Sequence, residues 1–248
     1  YDNASFTGAP ITGFSAMDAE AKHYYAKWSA ANTYTVAYTM NDGTPAGHPA
    51  TNPNTVTSYS VLDPNVTLAP ATRTGYDFAG WYENPAFTGS PVTSFSTSDA
   101  ANKHFYAKWS AAKSYTVQWS LNDGTPAGHT ATNPNTVTSY TVLDADVSVQ
   151  PATRTGYDFL GWYDNAALTG TPVTNLHTMD AENKHYYAKW SAAKNYTVQW
   201  NLNDSAPAGH PASNPNTVTS YTVLDADVTI QPATRTGYTF LGWYDNAG

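Results

Sequence analysis

Seven histidines, nineteen acidic residues and no cysteine bound the chemistry open to this 248-residue chain. Without cysteine there are no disulfides, no thiolate zinc sites and no cysteine nucleophiles. Histidines of the repeats fall into two positional classes. His104 and His185 follow Lys103 and Lys184 at the start of a strand-like string, and His129 and His210 sit in Ala-Gly-His loops. If the classes met in space, each repeat would offer a two-histidine metal site. No His-x-x-x-His spacing and no third ligand accompanies them, so they read as solvated surface histidines. Asp144-Ala-Asp146 and Asp225-Ala-Asp227 offer oxygens to calcium, but the first copy reads Asp63-Pro-Asn65 and no Asp-x-Asp-x-Asp-Gly loop surrounds any of them. Side chains capping turn amides are the expected use. Glycoside hydrolysis needs two carboxylates about a scissile bond. The glutamates are only Glu20, Glu83 and Glu182, and Glu182 corresponds to Ala101 in the neighbouring copy. No nucleophile elbow, His-Glu-x-x-His or phosphate loop is present. The chain reads as no enzyme, with no catalytic residue, no cofactor and no metal assigned.

The aromatics admit two uses. Trp109, Trp119 and Trp162, with Tyr157 and Tyr163, are flat surfaces on which sugars stack. Leu and Ile are scarce, however, so rings must supply most of each core, at about 2–3 kcal/mol per buried ring. Trp81, Trp109, Trp119, Trp162, Trp190, Trp200 and Trp243, with Tyr157 and Phe159, are therefore assigned to the structural core. Charge adds exclusions. Lys and Arg number 11 against 19 acidic residues, a net charge of −8 without any basic run, which is poor for nucleic acid or anionic lipid. No apolar stretch is long enough for membrane insertion.

An internal period organises all of this. Trp81, Trp162 and Trp243 each follow Gly and precede Tyr, while Trp28, Trp109 and Trp190 each end Tyr-Ala-Lys-Trp, with a spacing of 81 in both series. Residues 82–162 and 163–243 differ at 19 of 81 positions with no insertion or deletion, as expected for compact units in a regular array. Small polar joints such as 110–114 are the least structured stretches. Cutting there gives complete repeats at 34–109 and 115–190, the last part of a repeat at 1–28 and the first part of one at 196–248. Either the chain is a window on a longer array, or the two partial pieces complement each other.

Within a repeat the pattern is mainly strand. Tyr115, Val117, Trp119 and Leu121 alternate with Thr116, Gln118 and Ser120, and Asn122-Asp123-Gly124 then supplies turn chemistry. A polar loop leads to a strand at 137–143 and a short one at 147–149. In 156–163, Tyr157, Phe159 and Tyr163 should face one way and Leu160 and Trp162 the other, with Gly161 marking a bulge or close approach. A helix of one or two turns is expected at 179–184, and 185–190 closes the unit as a strand.

The strings 137–147, 152–164 and Tyr187-Ala-Lys-Trp190 resemble the Listeria–Bacteroides repeat, also known as the internalin B-repeat. The resemblance covers the whole chain; its one departure is Asn-Asp-Gly or Asn-Asp-Ser where the family commonly has Asn-Gly-Gly. It implies tandem β-grasp-like modules (α+β at most) in extracellular, bacterial cell-surface proteins, where they serve as stalks or spacers without catalytic residues. Joints of five residues between Trp and Tyr favour a semi-rigid rod whose partners are the neighbouring repeats. Two other readings stand beside this one. Chains could complete one another head to tail through 1–28 and 196–248, giving a filament. The aromatic content could instead serve a glycan or host ligand.

Overall fold

The computed structural model describes residues 1–43, 46–124, 127–205 and 208–245, so parts of the polar loops at 44–45, 125–126 and 206–207 and the last three residues of the 196–248 piece lie outside the described residues. The chain forms two compact units, 1–111 and 112–248.

The first unit contains one full module. Strand β1 (Thr33–Thr39) pairs antiparallel with β2 (Ser58–Ser60) and parallel with β4 (Lys103–Trp109), which pairs antiparallel with β3 (Phe78–Tyr82). The last strand of the module thus lies in the middle of its sheet, beside the first. Val36, Tyr59, Trp81, Phe95, Phe105 and Ala107 make the core. Residues 1–28 form no strand among the described residues. They hold one 3-10 turn, Ala16–Asp18, and a reciprocal backbone pair in which Tyr25 N–H donates to Tyr1 O at 2.8 Å and the Tyr1 amine to Tyr25 O at 3.2 Å.

The second unit repeats the plan with β5 (Tyr115–Ser120), β6 (Ser139–Tyr140), β7 (Phe159–Tyr163) and β8 (Lys184–Trp190), in the order β6-β5-β8-β7. Strand β5 forms as its alternation predicts. Tyr115, Val117, Trp119 and Leu121 face the core, and Asn122 turns the chain at φ 50° while its amide donates to Ala188 O at 2.9 Å. The strand expected at 137–143 shrinks to Ser139–Tyr140, because the Asp144 carboxylate accepts from Thr141 N–H at 2.7 Å and bends the chain away. The expected helix at 179–184 is instead a 3-10 turn at Thr178–Asp180, ended by Ala181 in the left-handed region at φ 53°. The facing in β7 also differs from simple alternation. A bulge between Phe159 and Gly161 puts Phe159 and Trp162 on the core side, rings 5.6 Å apart, and leaves Leu160 outside. A Cβ on Gly161, at φ +130°, would lie 2.6 Å from Pro172 Cβ, which is the close approach that glycine allows.

The same unit ends in an open third module. Strand β9 (Tyr196–Thr197) pairs with β10 (Ser220–Tyr221), and no other strand joins that sheet among the described residues. Residues 240–243, counterparts of β7, are not strand. A strand exists by pairing, and no strand pairs with residues 240–243 among the described residues. Overall the fold is mainly β, with small sheets repeated module by module.

Candidate functional site

The residues with chemical potential are largely occupied locally. His104 bonds Thr39 Oγ1 at 2.8 Å and stacks on Tyr106 at 4.3 Å, and His185 repeats this with Ser120 and Tyr187 at 2.8 Å and 4.2 Å. His129 and His210 lie edge-on to Tyr157 and Tyr238, so the two histidine classes are not brought together. Asp146 accepts from Thr178 N–H at 2.8 Å and meets His177 Nδ1 at 2.7 Å; the amide bond first, then the histidine, lowers its pKa. Among the described residues no group of three or more His, Cys, Asp or Glu is placed to hold a metal ion.

In the two full modules the tryptophans line the interior rather than a binding face, whereas Trp28 is 87% exposed. Trp81 and Trp162 are 1% exposed, and Trp109, Trp119 and Trp190 are half-buried against the same cores. Each indole N–H is bound to a backbone carbonyl: Trp162 to Gln150, Trp119 to Val137 and Trp190 to Leu121, at 2.7–2.9 Å. Trp200 and Trp243 keep the edge-to-face contact of Trp119 and Trp162, with 4.9 Å between ring centres in both pairs, although their module is open. Phe159 packs on Trp190, whereas Tyr157 sits outside the core under Arg154.

That arginine was not singled out from sequence. Arg154 is buried, donates to His129 O at 2.7 Å and Asp123 O at 3.1 Å, and lies 4.2 Å from the Tyr157 ring centre. Arg73 makes the same set with His48, Asp42 and Tyr76. It fastens the loop after the first strand to the turn that opens β3 or β7. The recurring Thr-Arg-Thr-Gly-Tyr string at 72–76, 153–157 and 234–238 was the available signal.

The feature with an evident mechanical consequence is the joint in the second unit. Residues 191–195 look loose in sequence but are tied down. Ser191 N–H donates to Asp158 O at 2.9 Å, and Asp158 N–H donates to Ser191 Oγ at 2.9 Å. Lys194 N–H donates to Gly156 O at 2.8 Å, and its ammonium meets Asp158 at 2.8 Å in an exposed pair that adds little alone. Across the joint Val223 rests on Gly156, where an added Cβ would lie 2.3 Å from Val223 Cγ1. In the first unit Ser110 and Asp77 exchange the same two bonds at 2.9 and 3.0 Å.

Comparison with known proteins adds the following. The family model described as the Listeria-Bacteroides repeat domain matches residues 34–108, 115–189 and 196–248. Two relatives from Evansella cellulosilytica are similar. One, named only as a membrane protein, is 30% identical over 88% of this chain; the other, named only as a Gly-rich membrane protein, is 26% identical over 93%. The chain spans 29% and 23% of their respective lengths. No solved structure matches. Among the described residues no helix is long and apolar enough to cross a membrane.

Proposed function

Because this chain belongs to the Listeria–Bacteroides repeat domain family, we propose that it is a non-catalytic structural repeat, a stalk or spacer in a bacterial surface protein, working outside the cell. The observation that carries the reading is the joint, where two backbone bonds and a serine hydroxyl fix residues 191–194 to the preceding module and Val223 of the next rests on Gly156. A spacer must transmit direction from one module to the next, and a bonded joint does this where a loose linker does not. The similar relatives, several times longer and named as membrane proteins, fit a segment that holds another part away from a surface.

The test uses the absence of native cysteine. One cysteine introduced in 115–190 and one in 196–245 take a dye pair for single-molecule energy transfer. The expected result is one narrow distance distribution, broadened by Gly156→Val, whose side chain collides with Val223. A wild-type distribution as broad as that of the variant overturns the spacer reading.

A further inference from the structure

Each full module packs one face of its sheet on its core. The opposite face of the second module receives Thr116, Gln118 and Ser120 from β5 and His185, Tyr187 and Lys189 from β8. In the first module β1 and β4 send Thr35, Ala37, Thr39, His104, Tyr106 and Lys108 to that side. No outward position of these strands carries a carboxylate, in a chain whose net charge is −8.

The two faces are organised alike. His185 Nε2 bonds Ser120 Oγ at 2.8 Å, its Nδ1 meets the Tyr187 hydroxyl at 3.0 Å, and the two rings stack at 4.2 Å. Thr39, His104 and Tyr106 make the same set at 2.8, 3.2 and 4.3 Å. The lysine two residues on is held as well. Lys189 Nζ donates to Leu168 O at 3.1 Å and lies 5.0 Å from the Tyr163 ring centre. Lys108 lies 5.1 Å from the ring centre of Tyr82 and 5.6 Å from that of Phe87. These two differ from other lysines of the chain. Lys103, Lys184 and Lys194 each meet a carboxylate at 2.6–2.8 Å, whereas Lys108 and Lys189 meet none among the described residues.

An ammonium held in place, with N–H groups to spare and no counter-ion of its own, is ready for a ligand carboxylate. The hydroxyls and the stacked ring pair beside it suit a flat, hydroxylated ring. The arrangement recurs after 81 residues, so the fitting ligand is one that also repeats. Two weak sites on one chain gain on a polymer what neither gains on a single sugar.

We propose that these two faces bind an acidic polysaccharide, a polymer of uronic acids. Its carboxylates meet Lys108 and Lys189, and its sugar rings lie against the neighbouring His104–Tyr106 and His185–Tyr187 pairs. The charge elsewhere confines such a polymer to these faces, and it disfavours a second copy of the chain as the occupant. This activity goes beyond the spacer role, which it neither needs nor replaces.

Biolayer interferometry of the 248-residue chain over immobilised polygalacturonate tests the proposal, with neutral dextran and polyphosphate as comparisons. Polygalacturonate should be bound at least about 10-fold more tightly than either, because dextran lacks the charge and polyphosphate lacks the sugar ring. The double variant Lys108→Gln/Lys189→Gln keeps most of each stem beside Tyr82 and Tyr163, and circular dichroism will verify that it stays folded. It should weaken binding about 10-fold or more. Lys22→Gln, which removes the same charge away from both faces, should leave binding as it was. No binding to polygalacturonate, equal binding to polyphosphate, or an equal loss in Lys22→Gln overturns the proposal. So does an unchanged affinity in the double variant. Self-association that the double variant abolishes also overturns it, since the occupant is then a second copy. None of these results bears on joint stiffness, which is read within a single chain.

Discussion

Tyr186 stands in the second module where Phe105 stands in the first, and burial pushes its phenol from 10.0 up to about 12. The sign follows from which form the core tolerates. The neutral ring is stable there below pH 10.0, and that contribution is lost as pH rises through about 12. The second unit should therefore lose about 2–3 kcal/mol across this window, read by urea unfolding at several alkaline pH values. Tyr186→Phe should remove most of the slope. Tyr140, also pushed up chiefly by burial, leaves the remainder. At this scale the sequence was informative about ring-rich cores, because few Leu and Ile were available to replace the rings. It was silent about Arg154, whose burial depends on two carbonyls and a ring brought together from 123, 129 and 157. Charge in a Thr-Arg-Thr string ordinarily means surface.

At the scale of elements, Gly161 decides the facing of β7. Gly161→Ala should destabilise the second module by about 2–4 kcal/mol, through the collision with Pro172 added to a strained backbone. Gly170→Ala separates the two effects, since φ is +88° but nothing lies within 4 Å; about 1–2 kcal/mol is expected there. Thermal unfolding of both variants checks the difference. Alternation alone read β5 correctly because it has no bulge. It misassigned the faces in β7 because one extra residue inverts every position after it, and the partner strand that accommodates the bulge lies about thirty residues on, at Lys184–Trp190. The joint was misread for a related reason. Ser191-Ala-Ala-Lys194 carries no hydrophobic pattern, so bonds made by its backbone to Gly156 and Asp158 leave no trace in composition.

For the whole molecule, the modules should differ sharply in local stability. In dilute solution, amides of 196–201 should exchange with solvent at least about 100-fold faster than those of 115–120, as measured by hydrogen-exchange mass spectrometry, because their sheet retains only the Tyr196–Thr197 and Ser220–Tyr221 pairing. Sequence periodicity revealed the repeat and the kind of element in it, since Trp and Tyr recur in fixed steps; it could not show which edges each sheet leaves unpaired. The contact of Val223 on Gly156 has one more consequence. Val61, Val142 and Val223 recur with Gly75, Gly156 and Gly237, so every module presents the same front and the same back. A gene with such interchangeable ends can gain or lose whole copies by unequal recombination without redesigning a boundary. Length then becomes a heritable quantity adjusted in steps of 81 residues.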